Sequence, residues 1–551
     1  MSQKPITLEA IAAAEQLFGV VYTDAERRLM LGNLQAQIEF NIRRRRLSLS
    51  AEVSPATRFD PRLPGWQKPL SRTFEPGIER TPMPNNVDDM AFAPITQLAG
   101  WIRAGGITAE RLTGIYLDRI AKYGARLEAI AMALPGVAIE QAQSADQQLS
   151  KGNWLGPLHG IPWGCKDIID TAGILTALGA ETHMGRVPES DAAVVTKLAA
   201  AGAVLVAKTS VGAFAYGEIW YGGTTRNPWN LDEGSGGSSA GTAAATAAGL
   251  IAFGLGTETI GSIVIPSLRC GATGLRPTFG RVSRRGVMPL AWSLDKVGTI
   301  CRSVEDTALV LAAIEGFDQD DPSSIGVDPT GYLPGVGMAG RRIGFYPADF
   351  ELEGVDRADH EILTLLPTLG AELVPLRRAD LPYDVLMNVV FAEAAAAFEE
   401  LTLNNGDDQL AWQDAAAWPN IFRKARFLSA IDHIQLDRVR RLAMEDLDLA
   451  FARADAILGP ALEGPMMLIS NFTGNPCLTM RTGFSERETR QRPMIVSGRI
   501  EAARKASGDE IKHRVPHGIC LYGSIFNEGA LVEIGIALER ALNVRDERPR
   551  L

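Results

Sequence analysis

Residues 234–267 restrict what this chain can fold into more than any other stretch of its sequence. They contain no Lys or Arg, and Glu258 is their single carboxylate. A stretch rich in Gly, Ser, Ala and Thr is often a flexible linker. Here, however, the small-residue run 243–248 predicts a tightly packed helix with a serine as N-cap, and the apolar run 251–255 predicts a buried strand. The predicted unit presents two serine loops, in which small residues let backbone amides converge on an anion.

A second motif lies upstream, where residues 160–167 read GIPWGCKD. This motif and the stretch 234–267 resemble the lysine motif and the signature sequence of the amidase signature family. The spacing between Ser238 and Ser262 also fits that family. Further segments that resemble it bring the resemblance to residues 93–545; these segments are 202–210, 226–229, 274–283 and 293–295.

The resemblance implies a Ser–cis-Ser–Lys triad. Ser262 matches the family's nucleophile, Lys166 its general base, and Ser238 the bridging serine that follows a cis peptide bond, here Gly237–Ser238. The implied relay carries a proton from Ser262 through Ser238 to Lys166 and returns it to the leaving nitrogen, while an acyl-enzyme forms on Ser262. The implied oxyanion hole consists of backbone amides, those of Thr259, Ile260, Gly261 and Ser262.

Two positions depart from the family pattern. Ile260 stands where the family usually has Gly, which adds bulk at the oxyanion loop. Val264 stands where an Arg is common, so the charge that the family places beside the site is not supplied at this position. Neither change removes a member of the triad, and the sequence therefore predicts an active enzyme.

A lysine can act as a base only when its amine is neutral. The reference pKa is about 10.4, so work near neutral pH requires a pKa lowered by roughly 2–3 units. Burial lowers a lysine pKa, and the residues around Lys166 are suitably apolar at 161–163 and 168–169. Asp167 would oppose this effect if its carboxylate faced the amine, so we expect Asp167 to point elsewhere.

A competing interpretation makes Ser239 the nucleophile. Residues 237–241 read GSSAG and fit the GxSxG elbow of α/β-hydrolases, which requires a strand directly before it and a downstream acid and histidine. Residues 227–233 are a poor strand. The downstream histidines lie in no recognisable context; they are His360, His433, His513 and His517. We therefore expect Ser239 to be a helix cap or a donor that supports the triad, with Gly237 beside it.

Other chemistries find little support in the sequence. The 6 histidines lack metal-binding spacing, and no phosphate or dinucleotide loop is present, so neither a metal nor a cofactor is expected. Cys165, beside Lys166, is interpreted as a packed small residue rather than a nucleophile. The 5 cysteines are scattered and form no CxxC pair, which argues against a disulfide framework.

Helix and strand patterns alternate from about residue 93, which predicts an α/β fold with a mostly parallel or mixed central sheet. The resemblance makes this expectation specific: an amidase signature fold over 93–545, with a large mixed sheet flanked by helices. Residues 1–75 are interpreted as a helical N-terminal extension and 76–92 as a connector. Residues 381–450 are interpreted as a mostly helical insertion on the substrate side. Its aromatic residues either line an acyl pocket or pack in the core; they are Trp412, Trp418 and Phe422.

Charge and composition limit the partners. The formal net charge of −10 disfavours nucleic acid and anionic membranes, since both require a basic surface. The first residues lack an apolar signal core, and the apolar runs are too short to span a bilayer, so a cytoplasmic location is predicted. By analogy with family members that carry an N-terminal extension, a homodimer formed through these helices is a further hypothesis.

The sequence therefore predicts an amidase that hydrolyses the C–N bond of a small carboxamide through an acyl-enzyme on Ser262. Three alternatives stay open. The same mechanism also suits a carbamate, an anilide or an ester. The chain can instead be the amidase subunit of a glutamine-dependent amidotransferase, which requires partner subunits, or a binding relative without catalytic activity.

Overall fold

The computed structural model describes residues 6–69, 77–333, 335–490, 493–496, 499–502 and 512–551. The strands in these residues are β1 (Ile130–Ala133), β2 (Pro162–Lys166), β3 (Val204–Thr209), β4 (Ile219–Trp220), β5 (Gly223–Thr224), β6 (Arg226–Asn227), β7 (Asn230–Gly234), β8 (Phe253–Glu258), β9 (Thr273–Arg276), β10 (Lys296–Cys301), β11 (Arg342–Phe345), β12 (Glu372–Pro375), β13 (Ala456–Gly459), β14 (Cys477–Glu488), β15 (Pro493–Val496), β16 (Arg499–Ala502) and β17 (Lys512–Tyr522).

The α-helices of the same residues are α1 (Leu8–Phe18), α2 (Asp24–Arg45), α3 (Val87–Phe92), α4 (Ile95–Arg103), α5 (Ala109–Leu127), α6 (Pro135–Ser150), α7 (Ala193–Ala200), α8 (Ala240–Ala247), α9 (Val264–Cys270), α10 (Val304–Ile314), α11 (Arg357–Thr368), α12 (Met387–Ala397), α13 (Glu399–Leu403), α14 (Trp418–Ala425), α15 (Ala430–Phe451), α16 (Met466–Phe472) and α17 (Glu528–Leu542). Short 3₁₀ helices occur at Glu181–His183, Ala213–Ala215, Pro347–Glu351, Tyr383–Leu386 and Gly406–Gln409.

One mixed sheet of 11 strands forms the centre of the molecule, in the order β1-β3-β2-β8-β10-β9-β14-β17-β13-β11-β12. Strand β2 pairs in parallel with both β3 and β8, and β11 pairs in parallel with both β12 and β13. The remaining neighbours are antiparallel. This arrangement confirms the predicted α/β fold with a large mixed sheet flanked by helices.

Helix α8 lies directly against the strands that carry the two motifs. Its alanines pack in one cluster with Val204 and Val206 of β3. The approach is close because Gly241 has no side chain: a Cβ there would lie 2.2 Å from the carbonyl oxygen of Ala129. The run of small residues therefore packs a helix onto the sheet, as predicted. The preceding serine loop thereby lies at the carboxyl ends of the central strands.

Helices α1 and α2 form the N-terminal part of the molecule. Thr23 and Glu26 make a capping box at the start of α2, as their spacing predicts. The helical part ends at Arg45, and residues 46–69 contain neither helix nor strand. The predicted boundary between extension and connector, at 75/76, lies outside the described residues. Within the predicted connector 76–92, residues 87–92 form α3.

Residues 381–450 are mostly helical, with α12 to α15 inside this range. Phe422 is fully buried and stacks on the buried Trp418, with ring centroids 5.0 Å apart. Trp412 stacks on Tyr216 at 5.2 Å and is only partly buried. The core-packing interpretation therefore holds for Trp418 and Phe422. Among the described residues, no helix is both long enough and apolar enough to cross a bilayer.

Candidate active site

Lys166 lies at the carboxyl end of β2. Because β2 and β8 are parallel neighbours, the residues at their carboxyl ends share one edge of the sheet. The Lys166 Nζ lies 2.9 Å from the Ser238 Oγ, 3.0 Å from the Ser239 Oγ and 2.8 Å from the Thr257 Oγ1. It also lies 3.3 Å from the Thr257 carbonyl oxygen. The structure thus brings Lys166 and Ser238 into direct contact, although 72 positions separate them in sequence.

The Lys166 side chain is fully buried, and burial holds its pKa well below the ordinary lysine value. The carboxylates of Asp295 and Glu258 oppose this effect in part. Asp167 does not face the amine: its Oδ2 accepts a hydrogen bond from the Ala177 amide at 3.1 Å. The expectation that Asp167 points elsewhere is confirmed.

The peptide bond between Gly237 and Ser238 is cis. Ser239 follows and occupies the N-cap position of α8, as predicted, but its hydroxyl makes no capping hydrogen bond to that helix. The Ser239 hydroxyl instead donates to the Thr257 carbonyl oxygen at 3.1 Å and accepts from the Thr257 amide at 3.2 Å. A local sequence pattern could not reveal this, because the competing partner lies 18 positions away.

The elbow interpretation of Ser239 was judged partly on a missing strand, and that argument was wrong. Strand β7 ends at Gly234, shortly before Ser239. However, within the described residues β7 pairs only with β6, in a two-stranded sheet separate from the central one. The Ser239 hydroxyl is fully buried, and within the described residues no histidine hydrogen-bonds to it.

Ser262 lies in the loop that connects β8 to α9, where Gly261 has a φ of +75°. The Ser262 carbonyl oxygen accepts a hydrogen bond from the Ser239 amide at 3.1 Å, which ties the two serine loops together. In the described part of the chain, the amides of Ile260, Gly261 and Ser262 donate no hydrogen bond. The Ser262 hydroxyl has no hydrogen-bond partner there either, so the structure shows the Lys166–Ser238 contact but no Ser238–Ser262 hydrogen bond.

Glu258 holds the Ser262 loop in place. Its Oε2 accepts hydrogen bonds from the Ile263 and Val264 amides at 2.7 and 3.0 Å. Its Oε1 lies 2.6 Å from Nη1 of Arg276, and both side chains are fully buried. Burial raises the Glu258 pKa, but Arg276 and the Val264 amide outweigh this and bring it to about 2.

The two departures from the family pattern are accommodated by packing. Val264 is the first residue of α9 and is fully buried, and the buried cation near this loop is Arg276 of β9 instead. Ile260 is partly buried and packs against the apolar cluster that includes Leu294 and Phe472. Cys165 is fully buried, and burial raises the pKa of its thiol to about 11, as suits a packed residue.

Two residues of the site were missed in the sequence. Thr257 contacts Lys166 through both its hydroxyl and its carbonyl group. Asp295 accepts a hydrogen bond from the Thr259 hydroxyl at 2.6 Å, and two backbone amides bind its other oxygen. The available signals were the place of Thr257 inside the stretch 234–267 and the family-like segment 293–295.

A cavity of about 230 Å³ adjoins this cluster. Thr257 and Thr259 line its inner end, and Ile168 lies beside them. The rest of its lining comes mainly from the segment 284–297 and from residues near position 52. Thr257 contacts Lys166 directly, so the cavity lies close to the lysine, although among the described residues neither Ser238 nor Ser262 lines it.

Comparison with known proteins identifies the family of this chain. The family model described as Amidase matches residues 111–531. The chain belongs to the amidase family. It is therefore a serine amidohydrolase that acts on C–N bonds.

Curated relatives include a glutamyl-tRNA(Gln) amidotransferase subunit from Desulfatibacillum aliphaticivorans, 31% identical over 475 residues, with 81% of this chain and 96% of the relative covered. The same amidotransferase subunit from Geobacter metallireducens is 33% identical over 481 residues, with 81% and 96% covered. Among solved structures, the peptide amidase of Stenotrophomonas maltophilia has a TM-score of 0.68 and 28% identity, with 83% of this chain and 98% of that chain covered.

Proposed function

We propose that this amidase hydrolyses the C–N bond of a small carboxamide through an acyl-enzyme on Ser262. The observation that carries the proposal is the 2.9 Å contact between Lys166 and Ser238, made by a fully buried lysine whose pKa is lowered by burial. A general base needs that combination, because the amine must be neutral and within reach of the proton that it accepts.

In the proposed first step, the Ser262 Oγ attacks the amide carbonyl carbon while its proton passes to Ser238, and the Ser238 proton passes to Lys166. The carbonyl oxygen then carries negative charge. The unused amides of Ile260, Gly261 and Ser262 support an oxyanion hole there, together with that of Thr259. The proton returns through Ser238 to the nitrogen, the C–N bond breaks, and the amine leaves.

In the second step, water attacks the acyl-enzyme ester and loses its proton to the same relay. The Ser262 oxygen leaves and recovers a proton, and the carboxylic acid is released. No other reactant is needed. The same steps apply to an anilide, a carbamate or an ester, which differ in the leaving group and not in the groups that the protein supplies.

A second candidate is the amidase subunit of a glutamine-dependent amidotransferase. Two relatives that are amidotransferase subunits, at 31% and 33% identity, favour it over the peptide amidase, at 28%. Against it, this chain carries residues 1–110 outside the family model, including α1 and α2. Release of ammonia from glutamine by the purified chain, together with co-purifying subunits, would favour the amidotransferase function.

The proposed partners follow from the same reasoning. We propose a small-molecule amide substrate, no nucleic acid and no membrane, in a cytoplasmic enzyme. The helices α1 and α2 are proposed to form a homodimer contact.

The test is the intact mass of the protein after reaction with a fluorophosphonate, followed by peptide mapping. The wild type should gain one adduct on Ser262, and Ser262→Ala should gain none. An adduct on Ser239 would support the elbow interpretation instead. No adduct, together with no turnover of amides, anilides, carbamates or esters, would favour a binding relative without catalytic activity.

A further inference from the structure

Residues 46–69, here called the strap, leave α2 and run across the body of the molecule without forming a helix or a strand. Contacts along their whole length hold them there. The ring of Phe59 lies under the Arg440 guanidinium, 3.5 Å from it. The other contacts join Ser48 to Glu400, Arg58 to the Pro322 carbonyl oxygen at 2.6 Å, and Lys68 to Asp328 at 2.6 Å.

The middle of the strap borders the cavity beside the reactive cluster. Ala51, Glu52 and Ser54 line this cavity, and so do Thr257 and Thr259 at its inner end. Val53, between them in sequence, does not line the cavity and is 61% exposed. The strap therefore presents one face to the cavity and the other to solvent.

A hydrogen bond from Trp292 helps to hold this part of the strap beside the cavity. The indole Nε1 of Trp292 donates to the Ala51 carbonyl oxygen at 2.9 Å. Trp292 itself lines the cavity, and its own carbonyl oxygen accepts a hydrogen bond from Arg284 at 2.8 Å. Trp292, which lines the cavity, thus helps to hold Ala51 and its neighbours in the strap at the cavity.

The cavity is small. A volume of about 230 Å³ lies below the range of roughly 300–1,000 Å³ that is usual for small-molecule sites. The family model begins only at residue 111, so this wall comes from a part of the chain that the model does not include.

We propose that Ala51, Glu52 and Ser54 form the outer wall of the substrate cavity and limit the size of the substrate group that this amidase accepts. The inference rests on the proposed function, because it takes the cavity to hold one end of the amide substrate. It assigns a specificity role to residues of the N-terminal extension, which contribute no reactive group.

The experiment compares kcat and KM for two homologous series, one in which the acyl group grows by methylene groups and one in which the amine does. Ser54→Trp should narrow the cavity and lower kcat/KM for the largest members of one series by about tenfold or more, with little effect on the smallest member. Trp292→Phe removes the indole donor and keeps the ring, so it should shift the preference toward larger members. Val53→Trp, on the solvent side, is the matched control and should leave both series unchanged.

The outcomes separate this inference from the proposed function. If the wild type neither reacts with a fluorophosphonate at Ser262 nor turns over any amide, the proposed function fails, and this inference fails with it. If the wild type is active, but Ser54→Trp lowers kcat/KM equally for all members of both series or changes it for none, the strap inference alone is wrong. Equal effects of Ser54→Trp and Val53→Trp would also contradict it.

Discussion

Lys166 has more hydrogen-bond acceptors around it than a neutral amine has protons to donate. Its Nζ contacts three hydroxyl oxygens and one carbonyl oxygen. A neutral amine has two N–H groups and one lone pair, so one of the hydroxyls must donate to it. The Ser239 hydroxyl cannot be that donor, because its proton is used in the hydrogen bond to the Thr257 carbonyl oxygen, which can only accept. The hydroxyl that donates to the Lys166 amine is therefore that of Ser238 or that of Thr257. This favours Ser238 over Ser239 as the proton relay.

The protonation state of Lys166 gives a pH prediction. Because burial lowers its pKa, the neutral form should appear below the ordinary lysine range, and kcat/KM should rise as pH increases through that pKa. Below it, kcat/KM should fall about tenfold for each pH unit. Lys166→Met should lower kcat/KM by about 10²–10⁴-fold and flatten this limb. The measurement is a pH series of kcat/KM for the wild type and for Lys166→Met. Circular dichroism checks that the two proteins have the same fold. Wild-type activity in Lys166→Met would contradict the mechanism.

Between β8 and α9, the Ser262 loop depends on a buried ion pair. Glu258 accepts from two amides of this loop and pairs with Arg276, and neither side chain reaches solvent. A buried pair is weak evidence for net stability, but removal of one partner leaves an uncompensated charge in the core. The Ser262 loop should therefore tolerate changes at Glu258 poorly.

Glu258→Gln should lower the free energy of unfolding by about 3–5 kcal/mol, because Arg276 is then buried without its partner. The matched control is Glu361→Gln, because Glu361 forms an exposed ion pair with Arg357. This substitution should change the free energy of unfolding by about 0–1 kcal/mol. Chemical denaturation of both variants measures the difference. Since the Glu258 pKa is lowered from 4.5 to about 2, its contribution is present above pH 4.5 and is lost as pH falls towards 2. Equal losses in the two variants at pH 7 would contradict this account.

Local sequence patterns predicted the helices and strands. They could not predict the side-chain contacts between residues that are distant in sequence. The alternation of helix and strand patterns from about residue 93 predicted the α/β class, because a helix such as α11 buries one face and leaves a periodic pattern in the sequence. Ser239 was expected to cap α8, but its hydroxyl is taken by Thr257 and Lys166, which arrive from other strands. The strap has no periodicity, so its place at the cavity could not be predicted from a Pro-rich composition.

The contact between Lys166 and Ser238 was predictable for a different reason. The resemblance of two motifs to one family, and not any local propensity, predicted that Lys166 lies near Ser238. The parallel pairing of β2 with β8 brings Lys166 next to Thr257. The contributions of Thr257 and Asp295 escaped notice because a threonine at a strand end and an aspartate in a loop are ordinary in such places. Their partners appear only when the chain is folded.

On the scale of the whole molecule, apolar side chains are concentrated on the surface of the N-terminal helices. Leu29 and Phe40 of α2 are 79% and 60% exposed. They lie three helical turns apart and thus share one face. Within the same helix pair, Arg27 binds Glu15 at 2.7 Å, so α1 and α2 are fixed to each other while this face stays uncovered. Large exposed apolar side chains on one face motivate the hypothesis of an interaction site there.

The hypothesis of a homodimer through these helices predicts a mass in solution of twice the chain. Leu29→Glu with Phe40→Glu should shift the enzyme to the monomer, because two carboxylates would then have to be buried in the contact without partners. Val187→Glu, at a 51% exposed apolar residue elsewhere on the surface, is the control and should stay dimeric. Sedimentation velocity at micromolar concentration measures all three proteins. A monomeric wild type, or a dimer that survives both substitutions, would contradict the hypothesis. Because the strap continues directly from α2, a true dimer contact should also make the size selectivity of the cavity depend on protein concentration.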